Sequence, residues 1–380
     1  MSARAPYYTE DHDRLRESVR RFVQREIAPH IDAWDEACEF PRGLYVAAGE
    51  LGLLGLGFPE ELGGTPCDPF HRIVVTEELA RAGSGGLVAG LMSHGIALPP
   101  IVALGSDSLK RRVVPPVLAG QAIAALAITE PDGGSDVASL RTSARREGEH
   151  FIVNGSKTFI TSGMRADYYT VAVRTGGDGM AGISLLLVER GTPGFTQTPL
   201  HKMGWWCSDT ATLYFEDCPV PASNLIGPEH QGFLGIMQNF NGERLAIAAM
   251  AVGFAQTCLD EALAWARQRV TFGKPLVTRQ VIRHKLVDMA QRIESTRAYL
   301  ELMAWRVQQG QWPIAEVCML KNAATQCLEF CAKEAVQILG GAGFIRGCKS
   351  ERIYRETKVL SIGGGAEEIM KELAARQLGW

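Results

Sequence analysis

The chain has no excess of positive charge. Its 39 Lys and Arg are outnumbered by 42 Asp and Glu, a formal net charge of −3, which leaves no basic footprint for nucleic acid. It has no C-x-x-C pair either: nine cysteines, an odd number without that spacing, read as free thiols of a reducing compartment. Cys327 and Cys331, four apart at helical spacing, read as core. His30, His71 and His94 show no carboxylate or cysteine at ligand spacing, so no metal is expected. The stretch Met1 to Arg14 lacks an apolar signal segment, and the longest apolar run, Leu245 to Ala255, is too short to cross a bilayer. The expectation is a cytoplasmic protein with no membrane or nucleic-acid partner.

What is present is enough apolar residue, 46% of 380, to bury a large core in two or three domains. From Thr9 to about Gly120 the spacing is helical, as in Leu15, Val19, Phe22 and Val23. Between about Gln121 and Pro228 the period changes to two, with Tyr168 to Val173, Ile183 to Val188 and Thr212 to Phe215 separated by turns such as Gly176-Gly-Asp-Gly179. From Gln231 helices return and are long. Ile282, Leu286, Met289, Ile293, Thr296, Leu300, Met303 and Val307 form one stripe, and Val317, Leu320, Ala324, Cys327, Cys331, Ala335 and Ile338 another. Beside Ile247, Met250, Phe254 and Cys258 they imply a bundle. The fold class is α+β: an N-terminal helical domain over 1–120, a middle, mostly antiparallel β domain over 121–229, and a C-terminal four-helix-type bundle over 230–380.

Two pieces organise the middle of the chain. Ala127-Ile-Thr-Glu-Pro-Asp-Gly-Gly-Ser-Asp136 begins as an apolar strand and breaks at Pro131 into a loop, Asp132-Gly-Gly-Ser135, able to offer backbone N–H groups to a polar ligand. Asn154-Gly-Ser-Lys-Thr-Phe-Ile-Thr-Ser-Gly163 reads as a hairpin return: an Asn154-Gly155 turn, then a strand with Phe159 and Thr161 on one face.

Together with later motifs, these pieces resemble the acyl-CoA dehydrogenase family of flavoproteins. The later motifs are Lys202-Met-Gly with Ser208-Asp-Thr210, Phe215-Glu-Asp with Val220-Pro221, Asn224-Leu-Ile-Gly227 and Glu243-Arg-Leu. They continue with Arg269-Val-Thr-Phe-Gly-Lys-Pro275, Gln337-Ile-Leu-Gly-Gly-Ala-Gly343 and Glu351-Arg-Ile-Tyr-Arg355. The resemblance implies α,β-dehydrogenation of an acyl thioester, with FAD between the β unit and the bundle. A base removes the α-proton while the β-hydride passes to flavin N5, and an electron-transferring flavoprotein is the implied acceptor.

Residue by residue, the resemblance places Leu126, Ile128, Thr129, Gly134 and Ser135 along the flavin ring and ribityl chain, with Thr129 at the pyrimidine edge. Phe159 is placed by the ring where many relatives have Trp, next to Ile160, and Thr161 near N5. Arg269, Thr271, Phe272, Gln280, Gln337, Gly340 and Gly341 would hold the adenosine and pyrophosphate of a neighbouring subunit's FAD, which implies a homo-oligomer, most often a tetramer. Ala366 and Glu368 complete that set, Ala366 standing where the family usually has threonine.

The commonest base of the family is a glutamate whose position here is Gly364. Glycine cannot be a base, though its N–H could still meet the thioester carbonyl. In isovaleryl- and long-chain-type members the base precedes an arginine on the first bundle helix, where this chain has Glu243-Arg244. Two readings stand for Glu243, the base or a first-turn helix carboxylate after Asn241. Ser135, Phe240, Asn241, Arg244, Gly364 and Gly365 are the implied substrate contacts. Relocating the base leaves Gly363-Gly364-Gly365 without side-chain volume, and a branched or bulky acyl chain is expected there unless Trp205, Trp206 or Phe240 fills the space. A carrier-protein-bound thioester, an oxidase and a catalytically silent flavin binder are the alternative functions.

Overall fold

The computed structural model describes residues 6–380, except the side chains of 238–241. Its N-terminal part is helical: α1 (Glu10–Phe22), α2 (Ile31–Ala37), α3 (Gly43–Glu50), α4 (Pro69–Ala80), α5 (Gly85–Leu91), α6 (His94–Ala97), α7 (Pro99–Leu104) and α8 (Asp107–Leu118). The starts are written in the sequence. Asp68 caps α4 by accepting from the N–H groups of Phe70 and His71, with Pro69 in its first turn, and Ser106 caps α8.

A mixed, largely antiparallel sheet follows: β1 (Ala124–Ala127), β2 (Ser143–Glu147), β3 (His150–Thr161), β4 (Tyr168–Arg174), β5 (Ile183–Glu189), β6 (Phe195–Pro199), β7 (Thr210–Pro221) and β8 (Leu225–Ile226). The order is β6-β7-β3-β2-β4-β5-β8, and β1 lies parallel to β4. β4 and β5 are buried on both faces, which is why they read as continuous apolar runs.

The Asn154-Gly155 pair is not a hairpin turn. The return lies at Gly148-Glu149, and β3 runs unbroken through Asn154 as a bulge against β7. The Asn154 amide satisfies the facing strand instead of closing a turn: Oδ1 accepts from the Asp217 N–H at 2.9 Å, and Nδ2 donates to Asp217 Oδ1 at 3.1 Å. Gly155, at φ +139°, absorbs the extra residue, and a Cβ there would lie 2.7 Å from Thr142 Cα.

The C-terminal part is α9 (Gly232–Gln268), a small ribbon of β9 (Val270–Thr271) and β10 (Lys274–Pro275), α10 (Gln280–Gln308), α11 (Ile314–Leu339), α12 (Lys349–Ile362) and α13 (Glu367–Leu378). Both stripes face inward, Met289, Ile293 and Leu300 on α10 and Leu320, Ala324, Cys331 and Ala335 on α11 being buried. One window of α9 is long and apolar enough to span a bilayer, but 61% of it is buried because α9 is the central helix, packed on α4, α10, α11 and α12.

The expectation for His71 is corrected. Asp68 Oδ1 lies 2.8 Å from His71 Nδ1 and 3.1 Å from His12 Nε2. The same oxygen caps α4, and His12 Nδ1 accepts from the Thr9 N–H. His12 therefore turns its Nε2–H toward the carboxylate, and the cluster is a closed hydrogen-bond group.

Candidate active site

The segment that leaves β1 is fixed to β3 by a buried ion pair. Lys157 of β3 is fully buried; its Nζ donates to Ile128 O at 3.0 Å and to Glu130 Oε1 at 2.8 Å. Glu130 also accepts from the N–H groups of Arg141 and Thr142. Burial would raise the Glu130 carboxyl, but Lys157 and these donors hold it below the usual range. The Thr158 N–H binds Thr129 O at 2.8 Å, so the segment leaving β1 is held rigidly along β3.

On that frame Thr129 and Thr161 are half-buried, and Gly133, Gly134 and Ser135 are exposed. Phe159 sits at the second β3 bulge with φ +60° and is 69% exposed, a conformation uncommon for an aromatic residue. An apolar ring in the open, on a strand segment that also carries Thr161 and is bonded to Thr129, suits a flat heterocycle with polar edges. Ile128 and Ile160 are buried in the core and can offer such a group only their backbone.

A second group gathers at one end of the bundle. Antiparallel α10 and α11 are tied by Lys285 to Glu334, which brings Gln280 and Gln337 to the same end. Arg269, Phe272, Gln280, Gln337, Gly340 and Gly341 are exposed there and Thr271 is half-buried; Phe272 is 95% exposed. Ala366, in the α12–α13 loop, is the N-cap of α13 and lends it no side-chain bond. Glu368 is exposed in the first turn of that helix, and its neighbour Glu367 pairs with Lys371.

Glu243 lies in α9 and points at the α12–α13 loop. A Cβ built on Gly364 would lie 3.8 Å from Glu243 Oε1, and Glu243 Oε2 is buried with no hydrogen-bond partner among the described residues. Burial pushes this carboxyl up to about 7, against the pull of Arg244 and Lys321. Arg244 is buried and donates from Nε to Gly364 O at 3.3 Å. Gly364 and Gly365 adopt φ +65° and +105°, conformations that favour glycine.

The volume the glycines vacate is not empty, which corrects the reasoning from their missing side chains. A Cβ on Gly364 would meet Ile247 Cδ1 at 2.5 Å, and one on Gly365 would meet Met370 Cε at 2.4 Å. Neither tryptophan lies in a strand. Trp205, in the turn before β7, packs on Gly85 and Gly86, its N–H held by Glu356 at 2.9 Å. The Trp206 ring lies between the guanidiniums of Arg346 and Arg355, 4.5 and 3.9 Å away. The Phe240 and Asn241 side chains lie outside the described residues. A cavity of about 180 Å³ is lined by Asp68, Arg72, Leu245, Ala249 and Trp312; its α9 residues lie on another face from Glu243 and Ile247.

Sequence reading missed Lys321. It follows Leu320 in α11, is fully buried, and donates from Nζ to Ser361 O at 2.8 Å and Gly365 O at 2.9 Å. Its spacing of four from Val317, on a face otherwise apolar, was the available signal.

Helices, a sheet and a bundle in this order form the architecture shared with solved acyl-CoA dehydrogenases, a class of oxidoreductases. The chain belongs to the acyl-CoA dehydrogenase family: it matches the N-terminal domain of that family over residues 9–121, the middle domain over 125–218 and the C-terminal domain over 230–379. It is 38% identical over 375 residues to the mitochondrial long-chain specific acyl-CoA dehydrogenase of Sus scrofa, covering 98% of this chain and 87% of the relative. A probable acyl-CoA dehydrogenase from Mycobacterium abscessus superposes with a TM-score of 0.97 at 50% identity, covering 98% of this chain and 100% of the other. The butyryl-CoA dehydrogenase of Megasphaera elsdenii gives 0.94 at 32% identity over 98% and 99% of the two chains.

Proposed function

We propose that this acyl-CoA dehydrogenase is FAD-dependent and that Glu243 removes the α-proton of the acyl thioester. The observation that carries the reading is the Glu243 carboxylate, with Oε2 buried and unpartnered among the described residues. A structural carboxylate at such depth takes hydrogen bonds; a base needs an oxygen free to receive a proton. A carboxyl held near 7 is also matched to proton transfer at neutral pH. The loop opposite supplies a backbone N–H at Gly364 for the thioester carbonyl, where negative charge gathers as the α-proton leaves.

The chemistry that bound FAD supplies is acceptance of the β-hydride. Thr129, Ser135, Phe159 and Thr161 would line its ring, and the Arg269–Gln280 and Gln337–Gly341 group would hold the adenosine and pyrophosphate of a neighbouring subunit's FAD. The assembly is then a homotetramer that passes electrons to an electron-transferring flavoprotein. With Ile247 and Met370 in the vacated volume, acyl preference is left to a panel of short, long and branched acyl-CoAs.

The test is Glu243→Gln, followed by flavin bleaching under anaerobic acyl-CoA. The variant should keep its yellow colour while its reduction rate falls about 10²–10⁴-fold, the usual contribution of a positioned base. Bleaching at the native rate would remove Glu243 from the chemistry.

A further inference from the structure

The loop that faces Glu243 has little of its own to hold it in shape. Residues 363–365 are three glycines, two of them at positive φ, and free glycines lose more entropy on ordering than any other residue. The Gly363 N–H donates to Val359 O at 2.7 Å, and the two glycines beyond it are held by a pair of cations. Lys321 takes the carbonyls of Ser361 and Gly365, and Arg244 takes the carbonyl of Gly364 between them. Ser361 O belongs to the last turn of α12, where helix carbonyls lack intrahelical partners.

A fully buried lysine is a costly way to cap a helix. Burial pushes Lys321 down to about 8, and the charges of Glu367 and Glu243 work against that fall. At neutral pH the ammonium therefore keeps its proton. Glu243 is faced by Arg244 from its own helix and Lys321 from α11, and Lys321 in turn by Glu367 of α13, Arg244 and Cys318.

We propose that Lys321 is a positioning residue of the active site: its ammonium pins the Ser361–Gly365 loop beside Glu243 and keeps a fixed positive charge against that carboxylate. The first task keeps the Gly364 backbone in register with the base. The second keeps Glu243 ionised at a pH where burial alone would leave it protonated. The proposal rests on Glu243 being the base.

The experiment measures the rate of flavin reduction by octanoyl-CoA from pH 5.5 to 9 in the holoenzyme and its Lys321→Met, Lys321→Arg and Glu243→Gln variants. Loss of the charge in Lys321→Met should move the acid limb upward by about one pH unit, so that the rate falls about tenfold more at pH 6 than at pH 9. Lys321→Arg keeps the charge and should restore the limb. A Lys321→Met limb that coincides with the native one, the loss being equal at every pH, would make the residue merely structural and overturn the proposal. So would an Arg variant displaced as far as the Met variant. If Lys321→Met yields no folded holoenzyme, Lys321→Arg decides: an unmoved limb supports the proposal and a limb moved by a unit defeats it. Native reduction by Glu243→Gln would instead defeat the base assignment on which it rests.

Discussion

Two buried carboxyls in this molecule are displaced equally and for the same first reason. Burial pushes both Glu243 and Glu356 up to about 7. They differ in what their oxygens meet. Glu356 accepts from the Gly85 N–H at 2.6 Å and the Trp205 N–H at 2.9 Å, and so ties α5 to the turn before β7. Glu243 Oε2 has no hydrogen-bond partner among the described residues. Replacement by glutamine should therefore act in opposite directions. A carboxyl raised in the folded state favours folding while protonated, and that advantage is lost as pH climbs from the unfolded value near 4.5 to about 7. Glu243→Gln has no charge to bury and should be the more stable protein above pH 7, by about 1–3 kcal/mol. Glu356→Gln turns an amide N–H toward a backbone donor and should lose about 1–3 kcal/mol. Urea unfolding at pH 5 and pH 8 separates the cases; a Glu243→Gln no more stable than the native chain at pH 8 would mean that ionising Glu243 costs the fold nothing.

At the level of elements, most of the architecture was legible because it rests on periodicity. The stripes Ile282 to Val307 and Val317 to Ile338 read as helices because one face of each is apolar at helical spacing, and that face is the buried one. The bulge at Asn154-Gly155 was not legible, because the same dipeptide that closes a hairpin also serves a bulge when a partner such as Asp217 stands opposite. The volume beside Gly364 was missed for a related reason: Ile247 and Met370 come from distant parts of the chain, and only folding puts them there. That position 364 carries no carboxylate and position 243 does could be read, since each is a residue type at one position. Ala366 carries its own consequence. It is the N-cap of α13 without a capping side chain, so Ala366→Thr should satisfy one orphan N–H and stabilise by about 0.5–2 kcal/mol. Thermal unfolding reads this directly, and an unchanged or lower Tm would show that the loop geometry forbids the cap.

Over the whole molecule, the N-terminal helices are bound to the bundle by charge as well as by apolar contact. Glu78 of α4 is fully buried and is met by Arg20 at 2.9 Å and Arg16 at 3.3 Å, both from α1, and by Arg81 at 3.0 Å. Its neighbour Glu77 pairs with Arg16 and with Arg297 of α10. Burial alone would raise the Glu78 carboxyl, but the Arg20 hydrogen bond and the three guanidinium charges bring it below its ordinary value. A depressed carboxyl gives stability that is present above the unfolded pKa and is lost as pH falls through the folded one. Acid should therefore loosen α1 from α4 below about pH 4.5, near the ordinary pKa of a glutamate, while Glu243, displaced the other way, is protonated without penalty. Glu78→Gln should cost about 1–3 kcal/mol at pH 7, since it leaves partly exposed arginines short of a partner, and should flatten the fall in Tm between pH 5 and pH 3. Proteolysis after Arg16 or Arg20 over the same range would report the release of α1. If the native chain and the variant lost Tm in parallel over that range, the carboxylates that yield to acid would have to be sought elsewhere than at this junction.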